Sequence, residues 1–383
     1  MTKTTKISLI LAICGFACSI GLRAFDPVIP DIAITYNVSI KVASLSAAIF
    51  ALAYGFGQLL MGPLSDKLGR YRVLTLAMIM VSFFSLLALV PNTYFMLILS
   101  RFGAGLFASA VVASSLALLG QLFSANKRGV VIARFMMAVI TAQLLGAVIM
   151  SHVSPHFEIM FLVLAVLPII GLVLLYSVRY EPILNEQSQG KLTDHIGSIF
   201  KQTHLPLMAL LGLLDGILVF GPIPYISVKL ATFSVNTAIA GYAIACFAIG
   251  GLVFAVISQY LIRLLKQSQF TVGIICLSLV WLLIAYSSVY WLILLAMFLV
   301  GLSFYILHNM LQVNASNCYP PARASAMSLF AFAFFLGQGT GPILFGSLVN
   351  LFGLNQSFII FALSAFVVGI VSWPKRYKIS DQL

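Results

Sequence analysis

Charge is what this chain has least of. Asp and Glu together number nine in 383 residues, and all charged residues make up 8%, against roughly 25% in an ordinary soluble domain. With 62% of its residues hydrophobic, the chain has too much apolar surface to keep out of water, which excludes a soluble globular fold. A nucleotide loop is also missing. No G-x-x-x-x-G-K-[ST] run occurs, so ATP is not expected as the direct energy source. No nucleophile and base cluster or metal set stands within the apolar runs, so an enzyme is not expected. The five cysteines carry no framework either. Cys14, Cys18, Cys246 and Cys276 lie inside apolar runs and Cys318 near the end of another, so each reads as a small buried hydrophobe.

What is present is a succession of apolar runs long enough to cross a bilayer, for which about 20 residues suffice. Twelve such spans are expected, approximately at 7–33, 42–61, 73–90, 94–122, 130–153, 159–178, 205–228, 238–261, 271–287, 290–315, 326–349 and 357–373. The first follows Lys3 and Lys6 but is too long for a signal peptide and lacks a good small-x-small cleavage site, so it reads as a span. The expected fold class is therefore an all-α membrane protein. Lys and Arg gather in alternate loops: Lys67, Arg70 and Arg72; Lys127 and Arg128; Arg179, Lys191 and Lys201; Arg263 and Lys266; Arg323; and Lys375, Arg376 and Lys378. The opposite loops hold little beyond Lys41 and Lys229. By the positive-inside rule both termini are expected in the cytoplasm. The net charge of +12 then marks orientation and proximity to anionic lipid rather than nucleic-acid binding.

The two halves of the chain repeat one another. Phe25-Asp-Pro27-Val-Ile-Pro30 is answered 195 positions later by Phe220-Gly-Pro222-Ile-Pro224, Arg128 by Arg323, and Gly146 by Gly341. Lys67 and Arg70 are echoed by Arg263 and Lys266 one position further on. Six spans per copy is an even number, so the copies run parallel. Their boundaries are expected at residues 1–180 and 205–383, joined by a polar cytoplasmic linker at 181–204. A solute site at the interface of two such halves, near the bilayer midplane, is the arrangement expected of a secondary transporter.

The segment Gly62-Pro-Leu-Ser-Asp66-Lys-Leu-Gly69-Arg70-Tyr-Arg72 reads as a cytoplasmic hinge loop between the second and third spans. With twelve spans in two parallel halves, it resembles the signature loop of the major facilitator superfamily over the whole length of the chain. Arg23-Ala-Phe-Asp26-Pro27-Val-Ile-Pro30-Asp31, Phe50-Ala-Leu-Ala-Tyr54-Gly-Phe-Gly-Gln58 and Leu307-His308-Asn309-Met-Leu-Gln312 are similar to the bacterial drug:proton antiporter branch. The resemblance implies a monomer in the bacterial inner membrane, a small-molecule substrate, and a proton gradient as energy source with no cofactor. It further implies that Arg101 exchanges protons with an acid of the first span. One departure concerns the fifth span, where the antiporter run is reduced to Gly146-Ala147, while the eleventh keeps Gly337-Gln-Gly-Thr-Gly341-Pro342.

Ionisable groups at membrane depth are costly and mark candidate sites. Asp26 and Arg101 each lie about seven residues from the non-cytoplasmic end of their span, roughly 10 Å deep, so they are expected to pair and carry proton coupling, or to pin two helices together. Arg23, three residues before Asp26, is the alternative partner. Asp215, near the midplane of the seventh span, is a candidate for a cation or a proton, and His308 for a proton relay. Gln312, Asn309, Gln143 and Gln58 supply hydrogen bonds to substrate or between helices. Tyr54, Tyr225, Phe304, Tyr305 and Phe334 are candidate cavity walls. Gly62, Asp66, Gly69, Arg70 and Arg72 are expected to gate the cytoplasmic side, by an asymmetric latch, because Ile262 stands where the second copy would need the acid. Asp31 and Lys41 are expected to be solvated. His152, His156 and Glu158 have ligand-like spacing but read as a wet loop, and no metal is expected.

Overall fold

Apolar runs this long satisfy their backbone inside the membrane only as helices, and the computed structural model shows helices throughout. It describes residues 3–89, 93–177, 204–318 and 323–373. The expected linker, apart from His204, lies outside the described residues. The first set of helices is α1 (Lys3–Ser19), α2 (Ile29–Thr35), α3 (Ile40–Leu68), α4 (Arg70–Leu87), α5 (Tyr94–Leu122), α6 (Ala125–Val153) and α7 (Phe157–Tyr176). The second is α8 (Leu205–Phe220), α9 (Pro224–Ala231), α10 (Ala238–Leu265), α11 (Gln269–Tyr286), α12 (Tyr290–Asn317), α13 (Arg323–Phe352) and α14 (Leu354–Ser372). Among the described residues, eleven stretches are long and apolar enough to cross a membrane. One of these, Ala238–Tyr286, contains both α10 and α11, which turn about Lys266 at φ 45°. Separating them matches the twelve spans read from the sequence.

Two expectations about local structure change. The first and seventh spans are each broken. α1 gives way to 3-10 turns at Ile20–Leu22 and Asp26–Val28 before α2, and α8 stops at Phe220 before α9 resumes at Pro224. Pro27, Pro30, Pro222 and Pro224 have no N–H to donate, so the helical ladder cannot run through either segment. The segment at 62–72 is not a loop: α3 continues to Leu68, and α4 begins at Arg70. The reversal is made at Gly69 alone, at φ 89° and ψ 128°, a backbone state that disfavours any side chain.

Buried apolar residues form one cluster almost wholly within residues 205–365 and two within residues 7–175. Between apolar helices in lipid, close backbone approach replaces the hydrophobic effect as the packing force. The repeated pair Gly146 and Gly341 shows this in both copies. A Cβ on Gly146 would stand 2.0 Å from the Ile20 carbonyl oxygen, and one on Gly341 would stand 2.9 Å from that of Ile217 and 3.0 Å from Gly221 Cα. Each glycine thus seats its helix against the break in the leading helix of its own copy.

The two sets meet toward the face opposite the Gly69 turn. Ser44 Oγ and the Tyr225 hydroxyl are 3.0 Å apart, and that hydroxyl also donates to the Pro342 carbonyl at 3.4 Å. His152 Nε2 and the Tyr242 hydroxyl are 3.1 Å apart. Deeper along the same seam Phe56 meets Phe332 at 5.4 Å between ring centroids. The two sets therefore touch at the face away from the basic turns.

Candidate functional site

The break in the first span frees backbone carbonyls, and Arg101 takes one of them. Its Nη1 donates to the Gly21 carbonyl and its Nε to the Ser46 carbonyl, both at 2.8 Å. The guanidinium lies between the rings of Phe25 and Phe50, 4.3 and 4.4 Å from their centroids. The side chain from α5 thereby ties α3 to the broken segment. This corrects the expectation that Arg101 is the ion-pair partner of Asp26. Two of its donors are held by carbonyls, and its flat faces are held by rings.

Asp26 pairs instead with Arg23, Nη1 to Oδ2 at 3.2 Å, with the carboxylate fully enclosed. The intervening turn brings the two side chains to one side of the break. Arg23 also crosses to the second set, where its Cζ stands 4.1 Å from the centroid of the Phe220 ring, at the end of α8. The two breaks, matched in sequence, thus face each other in space. One oxygen of Asp26 (Oδ1) and one nitrogen of Arg23 (Nη2) are buried without a hydrogen-bond partner, which is costly unless something else meets them.

A second acid and base meet in the other set. His308 Nδ1 and Asp215 Oδ2 are 2.6 Å apart, joining α12 to α8. The imidazole stands among Phe334, Phe304 and Phe330 at centroid distances of 4.4, 4.9 and 5.6 Å. Phe334 in turn meets Phe220 at 5.7 Å. Arg23 and His308 therefore lie on either side of one aromatic wall. Sequence reasoning named Asp215 and His308 separately. It missed their pairing, and it missed Phe220 as a site residue, although the offset of 195 had set that residue opposite Phe25.

Comparison with known proteins places this geometry. The model of the Major Facilitator Superfamily matches residues 11–266 and 208–380. The chain belongs to the major facilitator superfamily. Among curated relatives it is 28% identical over 184 residues to the bicyclomycin resistance protein homolog of Haemophilus influenzae, covering 47% of this chain and 46% of that one. It is 24% identical over 130 residues to a major facilitator multidrug transporter of Aspergillus fumigatus, covering 34% of this chain and 21% of that one. An uncharacterised transporter of Schizosaccharomyces pombe is 27% identical over a stretch that spans 25% of its length and 35% of this chain. The matched stretches thus span half or less of these relatives. The solved structure of the nucleoside transporter NupG shares the fold over 99% of this chain and all of its own, at a TM-score of 0.75 and 16% identity. A peptide transporter, POT, in complex with sulfate does so over 98% of this chain and 95% of its own, at 0.79 and 14%.

As a member of this superfamily the chain is a multi-pass membrane protein, and the remaining candidates divide by position. Tyr54 hydrogen-bonds Gln58, and its ring lies 4.5 Å from that of Phe335 across the seam. Gln143 and Asn309 are half-buried, whereas Gln312 is exposed. Arg70 Nη1 donates to the Ala117 carbonyl at 3.2 Å, bracing the start of α4 against α5 within the first set. Arg72 is exposed. Gly62 and Asp66 belong to the helical end of α3, and the expected latch by the Asp66 carboxylate lies outside the described residues. Asp31 is not merely solvated, since Ser154 Oγ donates to its Oδ2 at 2.5 Å. Lys41 is half-buried, its Cγ within 3.1 Å of a Cβ placed on Gly346. Of the loop residues with ligand-like spacing, His152 turns to Tyr242, while His156 and Glu158 pair at 3.4 Å in the open.

Proposed function

We propose that this transporter exports small drug-like or amphipathic organic compounds in exchange for protons, by alternating access of two halves at residues 1–180 and 205–383. The observation that carries the reading is the buried Arg23–Asp26 pair, set at the break of the first span and resting on Phe220 of the second set. A charged pair at membrane depth marks a proton or ion pathway more often than a scaffold. Protonating Asp26 removes the charge that holds Arg23, and Arg23 is one of the groups that span the seam. Loss of that hold biases the packing of the halves, which is how a local charge change selects between two states. Efflux is supported by the likeness to a bicyclomycin resistance protein homolog and to a multidrug transporter. In this reading the protein is a monomer of a bacterial inner membrane with both ends in the cytoplasm, driven by the proton gradient without a cofactor.

Proton-coupled uptake is the second reading, and one observation favours it. The fifth span keeps only Gly146-Ala147 of the antiporter run, while the matching Gly341-Pro342 is intact. Both readings are tested in sealed proteoliposomes under an imposed pH gradient. Lipophilic cations, neutral amphiphiles and metabolites are added in turn, to native protein and to Asp26→Asn. Substrate-evoked proton flux opposite to substrate movement, lost in Asp26→Asn, is the expected result. Flux in the same direction as substrate establishes uptake, and flux that survives the substitution removes Asp26 from the coupling.

A further inference from the structure

Along the seam between the two sets, α3 and α13 interlock. A Cβ on Gly339 of α13 would stand 2.3 Å from Leu52 Cγ and 2.9 Å from the Ala48 carbonyl oxygen, so Leu52 fills the space that a side chain at 339 would take. The reverse holds one turn away. A Cβ on Gly55 of α3 would stand 2.9 Å from Phe335 Cβ, so the base of Phe335 fills the place left by Gly55. Each helix thus offers a knob and, one turn further on, a hole for the knob of the other. The Tyr54 and Phe335 rings, 4.5 Å apart, brace the same point. Because α3 covers Ile40–Leu68 and α13 covers Arg323–Phe352, both knobs and both holes lie near the middle of their helices. Two reciprocal knobs oppose sliding along the helix axes, since a shift either way drives them against the flanking turns. They leave rotation about the contact free.

The contacts at the ends away from the Gly69 turn are of another kind. In the same helix pair Lys41 Cγ stands 3.1 Å from a Cβ placed on Gly346, and between α6 and α10 the Ser151 Cβ stands 2.7 Å from one placed on Gly241. The Ser44–Tyr225 and His152–Tyr242 hydrogen bonds accompany them. All of these part when that face opens. We propose that the Leu52–Gly339 and Phe335–Gly55 interlock is the fulcrum of the alternating movement, a contact kept in both forms while the contacts at Gly346 and Gly241 break. With half of a ~30 Å hydrocarbon core as lever arm, a rocking of about 20° moves a helix end by roughly 5 Å, whereas atoms within about 2 Å of the interlock move less than about 1 Å. The knobs stay seated. Leu52, Gly55, Phe335 and Gly339 are positioning residues, acting by setting the axis on which the halves turn. This deepens the proposed function and rests on its alternating access alone, not on proton coupling or on the direction of transport.

The test uses the full-length protein in lipid nanodiscs, with spin labels on ketone-bearing amino acids at the exposed positions Lys127 of α6 and Arg263 of α10. Their separation is measured across a range of pH, and two distances are expected. With the five native cysteines replaced by alanine, Leu52→Cys/Gly339→Cys is then oxidised. Leu52 Cγ is one bond from its Cβ, which puts the two Cβ positions within about 4 Å, the span of a disulfide. Both distances are expected to survive this cross-link, whereas the oxidised pair Ser151→Cys/Gly241→Cys is expected to leave one, with reductant restoring the other. A second measurement needs no cysteine. A contact kept in both forms adds equally to each, so Gly339→Ala and Leu52→Ala are expected to lower the unfolding midpoint while leaving the ratio of the two distances within about twofold of native. Gly241→Ala, which crowds a contact made in one form only, is expected to move that ratio by about fivefold or more toward the shorter distance. Loss of one distance on oxidising the Leu52–Gly339 pair, or a ratio shifted as far by Leu52→Ala as by Gly241→Ala, overturns the fulcrum and leaves alternating access standing. A single distance in native protein at every pH overturns alternating access, and the fulcrum with it.

Discussion

Arg101→Lys separates a scaffold from a coupling group. In the native protein Arg101 satisfies two buried carbonyls at 2.8 Å and fills the space between Phe25 and Phe50. An ammonium keeps the charge but has no fork and no flat face, so it can serve one carbonyl or the other. The loss is one charge-assisted hydrogen bond, worth about 1.5–3 kcal/mol, and most of a double cation–π contact, worth about 1–2 kcal/mol when desolvated. A destabilisation of roughly 3 kcal/mol is expected, read as a fall of about 5 °C in the unfolding midpoint of detergent-solubilised protein. Because Asp26 takes its ion pair from Arg23, proton flux per folded molecule in proteoliposomes is expected to stay within about threefold of native. An unchanged midpoint together with abolished flux refutes this reasoning and returns Arg101 to the coupling path.

Three further outcomes are expected. Gly146→Ala places a methyl 2.0 Å from the Ile20 carbonyl oxygen and is expected to cost about 1–3 kcal/mol by overpacking, more than Gly341→Ala, with unfolding midpoints of the pair as the measurement. Tyr225→Phe removes the hydroxyl shared by Ser44 and the Pro342 carbonyl. At about 1 kcal/mol it is expected to shift the two-state balance roughly fivefold toward opening at that face, seen as faster labelling of a cysteine placed at the half-buried Lys41. Cys14 and Cys18 are 0% and 2% exposed and are expected to resist maleimide in folded protein, whereas the half-buried Cys318 reacts. Labelling of the first two at the Cys318 rate would contradict their burial.

Most of the helices were legible because hydropathy alone sets where a chain crosses a bilayer. The span at 94–122 coincides with α5, and most other ends fall within a few residues. What hydropathy does not carry is rotation about each helix axis. In α12 and α13 apolar residues surround the helix, so nothing in the pattern said that His308 turns toward Asp215, or that Phe334 stands between it and Phe220. The partner of Asp26 was open in the sequence between Arg101 and Arg23. Depth favoured the first, whereas the break at Pro27 decided for the second by turning residue 23 toward residue 26. The stretch at 62–72 read as a loop because it is polar, yet a single glycine with positive φ makes the reversal.

The ring under Arg23 bears on leakage. A carrier that moves its empty form between the two faces with a free buried cation would carry water with it, and water carries protons. Phe220 gives the guanidinium an aromatic face to rest on in place of solvent.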